Sequence, residues 1–154
     1  MNGQDEYLES KVMTASPYHL HLLVIDGAIR HALQAEQAMA TDEFETAHFA
    51  LNDSRAFVGE LVSGLDDGQA PELVDPLKGL FLFAFRNLVE ADLQRDVAKI
   101  QDAIAVLRSH RETWLALADK LENLADDDSA TSAPPRPHHL SSETGELPGR
   151  SWTS

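Results

Sequence analysis

Ser16-Pro17 opens onto the stretch that most constrains this chain: from Leu20 to Ile29 only His21 and Asp26 are polar. Ser16 can accept from the orphan N–H groups of a first helical turn, and Pro17 at the first helical position loses nothing by lacking its own. The spacing predicts a helix from about Pro17 to Met39. Over its first half about three-quarters of the circumference is apolar, whereas a bundle helix buries a stripe roughly 100° wide. The excess, at Leu22, Ile25 and Ile29, calls for a second partner.

Three further segments show helical spacing, and strand-like alternation is nearly absent. A second helix is predicted from Thr41-Asp42, whose side chains can cap it, to about Leu65, with Ala47, Leu51, Ser54, Val58, Leu61 and Leu65 in its stripe. Gly64, Gly68 and Pro71 mark the turn that follows. A third runs from roughly Pro71 to Leu93 with Leu77, Phe81, Ala84, Leu88 and Ala91 facing inward, and Pro76 offers an alternative start. Asp96 caps a fourth, whose stripe is Val97, Ile100, Ile104, Leu107, Arg111, Trp114, Ala118 and Leu121 and which ends near Ala125. The expected fold class is all-α: an antiparallel four-helix bundle over residues 17–125, with an extended N-terminal leader over 1–16 and a disordered C-terminal tail over 126–154. Asp126-Asp127-Asp128 is at the wrong end of a helix for its dipole. Pro134, Pro135, Pro137 and Pro148 among serines and threonines leave little apolar mass to fold.

The charge narrows the function. Lys and Arg number 12 against 26 Asp and Glu, a formal charge of −14, and residues 1–125 alone carry 21 acids and 10 bases. A body this acidic repels phosphate backbones and anionic lipid, so neither nucleic acid nor membrane is an expected partner. With no cysteine, disulfides, thiolate metal sites and cysteine nucleophiles are excluded. The acidic N-terminus has no apolar core of a signal peptide, and the longest apolar run, Leu80 to Phe85, is far short of a membrane span. The expected location is cytoplasmic.

Bundle chemistries fit poorly. A di-iron carboxylate site needs two Glu-x-x-His pairs and two more glutamates, and only Glu45 and His48 have that spacing. Histidine phosphotransfer wants a nearby Lys and Gly, which His48, His31 and His110 lack; each reads as a neutral surface histidine, and His138-His139 falls in the tail. No catalytic residue, metal or cofactor is expected. Arg111 interrupts an apolar stripe, so it reads as an edge residue with a carboxylate partner or as a contact for another protein. Trp114 reads as core. Leu82, Phe83 and Phe85 spread beyond the inward stripe of their helix, which marks an interface. With the excess on the first helix they imply a groove for an amphipathic helix, or a homodimer contact on the same surface.

A family resemblance rests on residues already named and on the leader. Tyr7, Val12, then Thr14-Ala15-Ser16-Pro17 and a leucine-rich stretch ending Asp26-Gly27-Ala28-Ile29 resemble the opening of the flagellin secretion chaperones, the FliS family. Leu88-Val89-Glu90-Ala91-Asp92, Asp96-Val97 and Leu107 to Trp114, with Arg108, Arg111 and Thr113 in place, resemble its closing helices. The likeness covers about residues 7 to 118; Ile25 stands where the family usually has Tyr. It implies a non-catalytic cytoplasmic export chaperone that binds the C-terminal region of flagellin, prevents premature polymerisation and aids delivery to the export apparatus, an export-gate component being a second candidate partner. Tyr7, Val12, Leu22, Ile25, Ile29, Leu82, Phe83, Phe85 and Arg111 are the expected partner contacts, and the free chain is expected to be a monomer or homodimer. The alternative is a non-catalytic regulatory homodimeric helical bundle.

Overall fold

The computed structural model describes residues 16–65 and 71–131, apart from the side chains of 130 and 131. They form four helices: α1 (Pro17–Ala40), α2 (Phe44–Ser63), α3 (Pro71–Gln94) and α4 (Val97–Thr131). Ser16 has extended backbone, and its hydroxyl oxygen accepts from the His19 N–H at 3.3 Å, with Pro17 opening α1. Asp96 does the same for α4, accepting from the Ala98 N–H at 3.0 Å. Both caps were legible as residue types.

The α1–α2 junction corrects the expected capping. Thr41 closes α1: its backbone N–H returns to the Ala38 carbonyl, which also lies 3.2 Å from the Thr41 hydroxyl. Asp42 takes a left-handed φ of 60° to turn the chain, and α2 starts at Phe44 behind Glu43, which makes no side-chain cap bond. A residue type that caps either end of a helix leaves the boundary open by a few positions. At the α3–α4 junction Arg95 is left-handed at φ 53°, and the Asp96 N–H reaches back to the Ala91 carbonyl, a hydrogen-bonded stop within one residue. Pro76 lies inside α3 rather than at its start, and α4 runs past Ala125 to Thr131. No breaker stands before Pro134, so the i→i−4 ladder continues through the aspartates at the cost of a poor dipole match. Residues 1–15 of the leader and residues 132–154 lie outside the described residues.

Residues 16–118 belong to one compact unit. Within it the cross-helix contacts give an up-down-up-down order. Ser54 on α2 donates to the Ala28 carbonyl, and Phe57, further along α2, covers the earlier Gly27. Phe44 and Arg95 meet where α2 begins and α3 ends, whereas Leu61, Leu65 and Leu77 line one cleft at the opposite ends. Glu90 pairs with Lys99 near the α3–α4 turn, and Phe81 meets His110 far from it. Tyr18, at the start of α1, stacks on Trp114, late in α4. Each sequential pair is therefore antiparallel, as is α1 with α4.

The core follows the stripes: Ala47, Leu51, Ser54, Val58 and Leu61 on α2, Phe81, Ala84, Leu88 and Ala91 on α3, and Ile100, Ile104 and Leu107 on α4 are buried. Along α1 the buried positions are Ile25, Gly27, Ala28, Ile29, Ala32, Ala35, Ala38 and Met39. So many small residues let α1 and α2 approach more closely along their length than any other described pair. Leu121, expected in the stripe of α4, is 57% exposed. It belongs to the separate unit, Asp119–Ser154.

Candidate functional site

The apolar excess divides unequally. On α3, Leu82 and Phe83 are 43% and 47% exposed, while Phe85 is half-buried against the core. On α1, Leu22 is half-buried, but Ile25 and Ile29 are 0% and 8% exposed. Their expected position on a free face is corrected: they are core residues of the bundle. The stripe estimate took α1 as an ordinary bundle helix with one buried face, and α1 packs on α2, α3 and α4 at once. Phe49, Leu73 and Leu93 are also exposed, and sequence reasoning passed them over. Phe49 and Leu93 lie off their helices' inward rhythm, which was the available signal; Leu73, four residues before Leu77, shares its face and is exposed nonetheless. Tyr7 and Val12 lie outside the described residues.

Two clefts flank α1, one beside its first turns and one beside its middle and later turns. One, of about 410 Å³, is mainly apolar and is lined by Pro17, Leu20, Val24, Leu61, Leu65, Leu77 and Trp114, with His21 and Glu60 at its polar edge. The other, of about 720 Å³, lies between α1 and α4, with Ile29 and Leu33 among its lining and Arg30, Arg108 and Arg111 around them. Arg111 is positioned here by an ion pair: its Nε donates to Asp26 Oδ1 at 2.6 Å, with both side chains partly exposed. The stripe position thus gives Arg111 an edge location with a carboxylate partner, one of the two expectations.

Beside this pair the histidines depart from expectation. His110 is buried, 6% exposed, rather than a surface residue. Its Nε2 is 2.9 Å from Nε2 of His21, so one ring donates and the other accepts. Phe81 and Trp114 pack around the pair, and Trp114 Nε1 donates to the Tyr18 carbonyl at 3.3 Å. Burial lowers both imidazoles, His21 to about 4, helped by repulsion from His110. A pair held neutral this way latches α1 to α4. His31 is half-buried and stacks on Phe57, and exposed His48 donates from Nδ1 at 2.7 Å to Asp92, which also accepts from Arg55. Among the described residues no three His, Cys, Asp or Glu side chains gather as a metal-holding group. No described helix is long and apolar enough to cross a membrane.

Among the described residues the arrangement offers surfaces and clefts. Comparison with known proteins agrees with that character. Residues 1–121 match the family described as flagellar protein FliS. The chain is similar to the flagellar secretion chaperone FliS of Salmonella typhimurium, 30% identical over 117 residues that span 73% of this chain and 84% of the relative. It is also similar to the flagellar secretion chaperone FliSB of Pseudomonas aeruginosa, 25% identical across 72% of this chain and 88% of that protein. The flagellar secretion chaperone FliS of Bacillus subtilis is 24% identical across 73% and 84% respectively.

Proposed function

The chain belongs to the FliS family, a family of chaperones of flagellar secretion and not of enzymes, and we propose that its client is the C-terminal region of flagellin, held unpolymerised in the cytoplasm and handed to the export apparatus. The observation that carries this reading is the exposed pair Leu82 and Phe83 on a helix whose inward stripe is already complete. Terminal segments of flagellin are amphipathic helices that coil together in the filament. Unassembled, they present apolar stripes that need cover, and an exposed apolar helix face supplies it. The charge of −14 keeps such a complex dispersed.

In this reading Leu82, Phe83 and the partly buried Phe85 and Leu22 meet the client, with Arg111 at the edge of the α1–α4 cleft as a further contact. Ile25 and Ile29 are core residues, and Ile29 also lines the α1–α4 cleft. Tyr7 and Val12 are assigned to it by family resemblance. An export-gate component is the second proposed partner. Release requires that affinity be moderate, and the ordering of a disordered client offsets part of the contact energy.

Calorimetry with a purified C-terminal flagellin fragment tests the client. Binding with a negative heat-capacity change is expected, together with a gain of helix by circular dichroism beyond the sum of the separate spectra. Absence of binding with both partners at about 100 μM, a dissociation constant worth less than about 5.5 kcal/mol, overturns the client assignment.

A further inference from the structure

The larger cleft, between α1 and α4, carries charges that the bundle does not use. Ile29 and Leu33 form its apolar part, with Arg30, Arg108 and Arg111 around them. The other arginines among the described residues are occupied. Arg55 and Arg111 pair with Asp92 and Asp26, Arg95 lies 4.0 Å over the Phe44 ring, and Arg86 interacts with Glu90. Arg30 and Arg108 are exposed, and among the described residues neither has an ion pair or a hydrogen bond. The helix register brings these two together. Asp26 and Arg111 meet at 2.6 Å across the antiparallel helices; four residues on along α1 and three back along α4, the next turn carries Arg30 and Arg108. In a chain of 26 acids and 12 bases, a shortage of carboxylates is not the reason that this layer has none. Glu36 and Glu112 also line the cleft, toward its opposite ends, and neither pairs with an arginine.

We infer that Arg30 and Arg108 hold the C-terminal carboxylate of the bound client, with the client's last apolar side chains on Ile29 and Leu33. This role rests on the flagellin reading, in which the client is a chain end and brings a free carboxylate whatever its sequence. A carboxylate offers two oxygens to the planar fork of a guanidinium, and such charge-assisted bonds are stronger and more directional than neutral ones. The apolar part of the cleft keeps water from one side of the contact, which strengthens it further. The same group is disfavoured at the cleft beside the first turns of α1, whose lining includes Glu60 and no lysine or arginine. The carboxylate thereby fixes which way the client runs, a choice that an apolar stripe alone leaves open.

Calorimetry with the full chain and two forms of one C-terminal flagellin fragment tests this role. One form ends in the free acid; the other ends in a carboxamide, which keeps the shape and lacks the charge. The free acid is expected to bind about ten-fold more tightly, or better. Arg30→Gln/Arg108→Gln is expected to bring the acid down to the affinity of the amide and to leave the amide unchanged. Both arginines are exposed and unpaired, so the double variant keeps its fold, which its unchanged melting curve checks. The advantage of the acid is expected to shrink between about 50 and 500 mM salt as charges are screened. Equal binding of acid and amide overturns the role of the arginines and leaves the flagellin reading in place, whereas no binding of either form overturns that reading and this role with it. An advantage of the acid that survives in the double variant places the carboxylate elsewhere and overturns the assignment. So does a loss seen only when a side-chain carboxylate of the fragment is replaced by its amide, because the arginines then hold an internal acid and not the chain end.

Discussion

α1 and α3 carry the same kind of apolar excess, and the bundle treats them differently. α1 packs on α2 along a seam of glycine and alanine, touches Phe81 of α3 through His21, and is joined to α4 by the Asp26–Arg111 pair and the His21–His110 contact. Its excess, Ile25 and Ile29, is spent inside the molecule. α3 completes its inward stripe with Phe81, Ala84, Leu88 and Ala91 and still has Leu82 and Phe83 open to water. Surplus apolar area on a helix therefore counts its neighbours, and those neighbours belong to the same chain in one case and, in the proposed function, to a client in the other.

The sharpest way to break this contrast is a buried charge. Ile25→Asp places a carboxylate where the side chain has no exposure and no polar partner is in place. A loss of about 4–5 kcal/mol or more is expected, enough to abolish a cooperative thermal transition in a domain of ordinary stability. A folded Ile25→Asp protein with a normal melting curve would return Ile25 to the surface and undo the distinction. Leu107→Ala, also fully buried, is expected to cost about 2–5 kcal/mol through the cavity it leaves.

Glycine gives a finer version of the same comparison. A Cβ at Gly27 of α1 would stand 2.7 Å from Cε1 of Phe57, whose ring is stacked on His31 and has little freedom to retreat. A Cβ at Gly79 of α3 meets nothing within 4 Å. Gly27→Ala is expected to destabilise by about 1–3 kcal/mol through overpacking. Gly79→Ala is expected to stabilise by about 0.5–1 kcal/mol, because alanine loses less backbone entropy in a helix. Chemical denaturation measures both, and equal signs would mean that α1 is no more tightly enclosed than α3.

How legible this was depended on the kind of signal. Local chemistry spoke clearly: Ser16-Pro17 and Asp96 cap where expected, and the middle of each stripe, Ala47 to Leu61 on α2, Phe81 to Ala91 on α3 and Ile100 to Leu107 on α4, is buried in register. Thr41 was ambiguous because a hydroxyl serves a helix end as readily as a helix start. Leu121 continues the period of α4 and is nevertheless exposed, since periodicity reports a face and not what lies opposite it. For the candidate surface, Leu82 and Phe83 followed from the completed stripe of their own helix. Ile25 and Ile29 did not, because their fate depends on how many helices surround α1, a property of the assembled bundle. His110 was misread for the same reason: its partner, His21, is 89 residues away in the chain.

The His21–His110 latch makes a pH-dependent test of how α1 is enclosed. Burial lowers the folded-state value of His21 from 6.5 to about 4, and lowers His110 as well. Between those limits the unfolded chain binds more protons than the folded one, so stability is complete above about pH 6.5 and falls as the pH drops toward 4. Denaturation midpoints at pH 7.5 and 5.5 are expected to show that loss. His21→Gln, which keeps a hydrogen-bonding group opposite His110, is expected to flatten the slope without removing the part due to His110. A slope unchanged in His21→Gln would mean that carboxylates, and not the latch, govern the acid side.

The smallest expected effect on the fold is also the one that bears most directly on function. Phe83→Asp changes a side chain that is 47% exposed, on the outer face of α3. Surface changes of this kind usually stay within about 0.5 kcal/mol, so the melting curve is expected to move little. Client binding responds differently. If Phe83 is covered by the flagellin fragment, exchanging its apolar area for a carboxylate forfeits about 1.5–3 kcal/mol of burial, a loss in affinity of roughly ten-fold to a hundred-fold. Leu82→Asp, one residue along the same helix, is expected to follow it. Normal melting with unchanged affinity in both variants would remove the outer face of α3 from the client surface and leave the two clefts beside α1 to account for binding. Unfolding of either variant would show instead that α3, like α1, spends its apolar excess within the bundle.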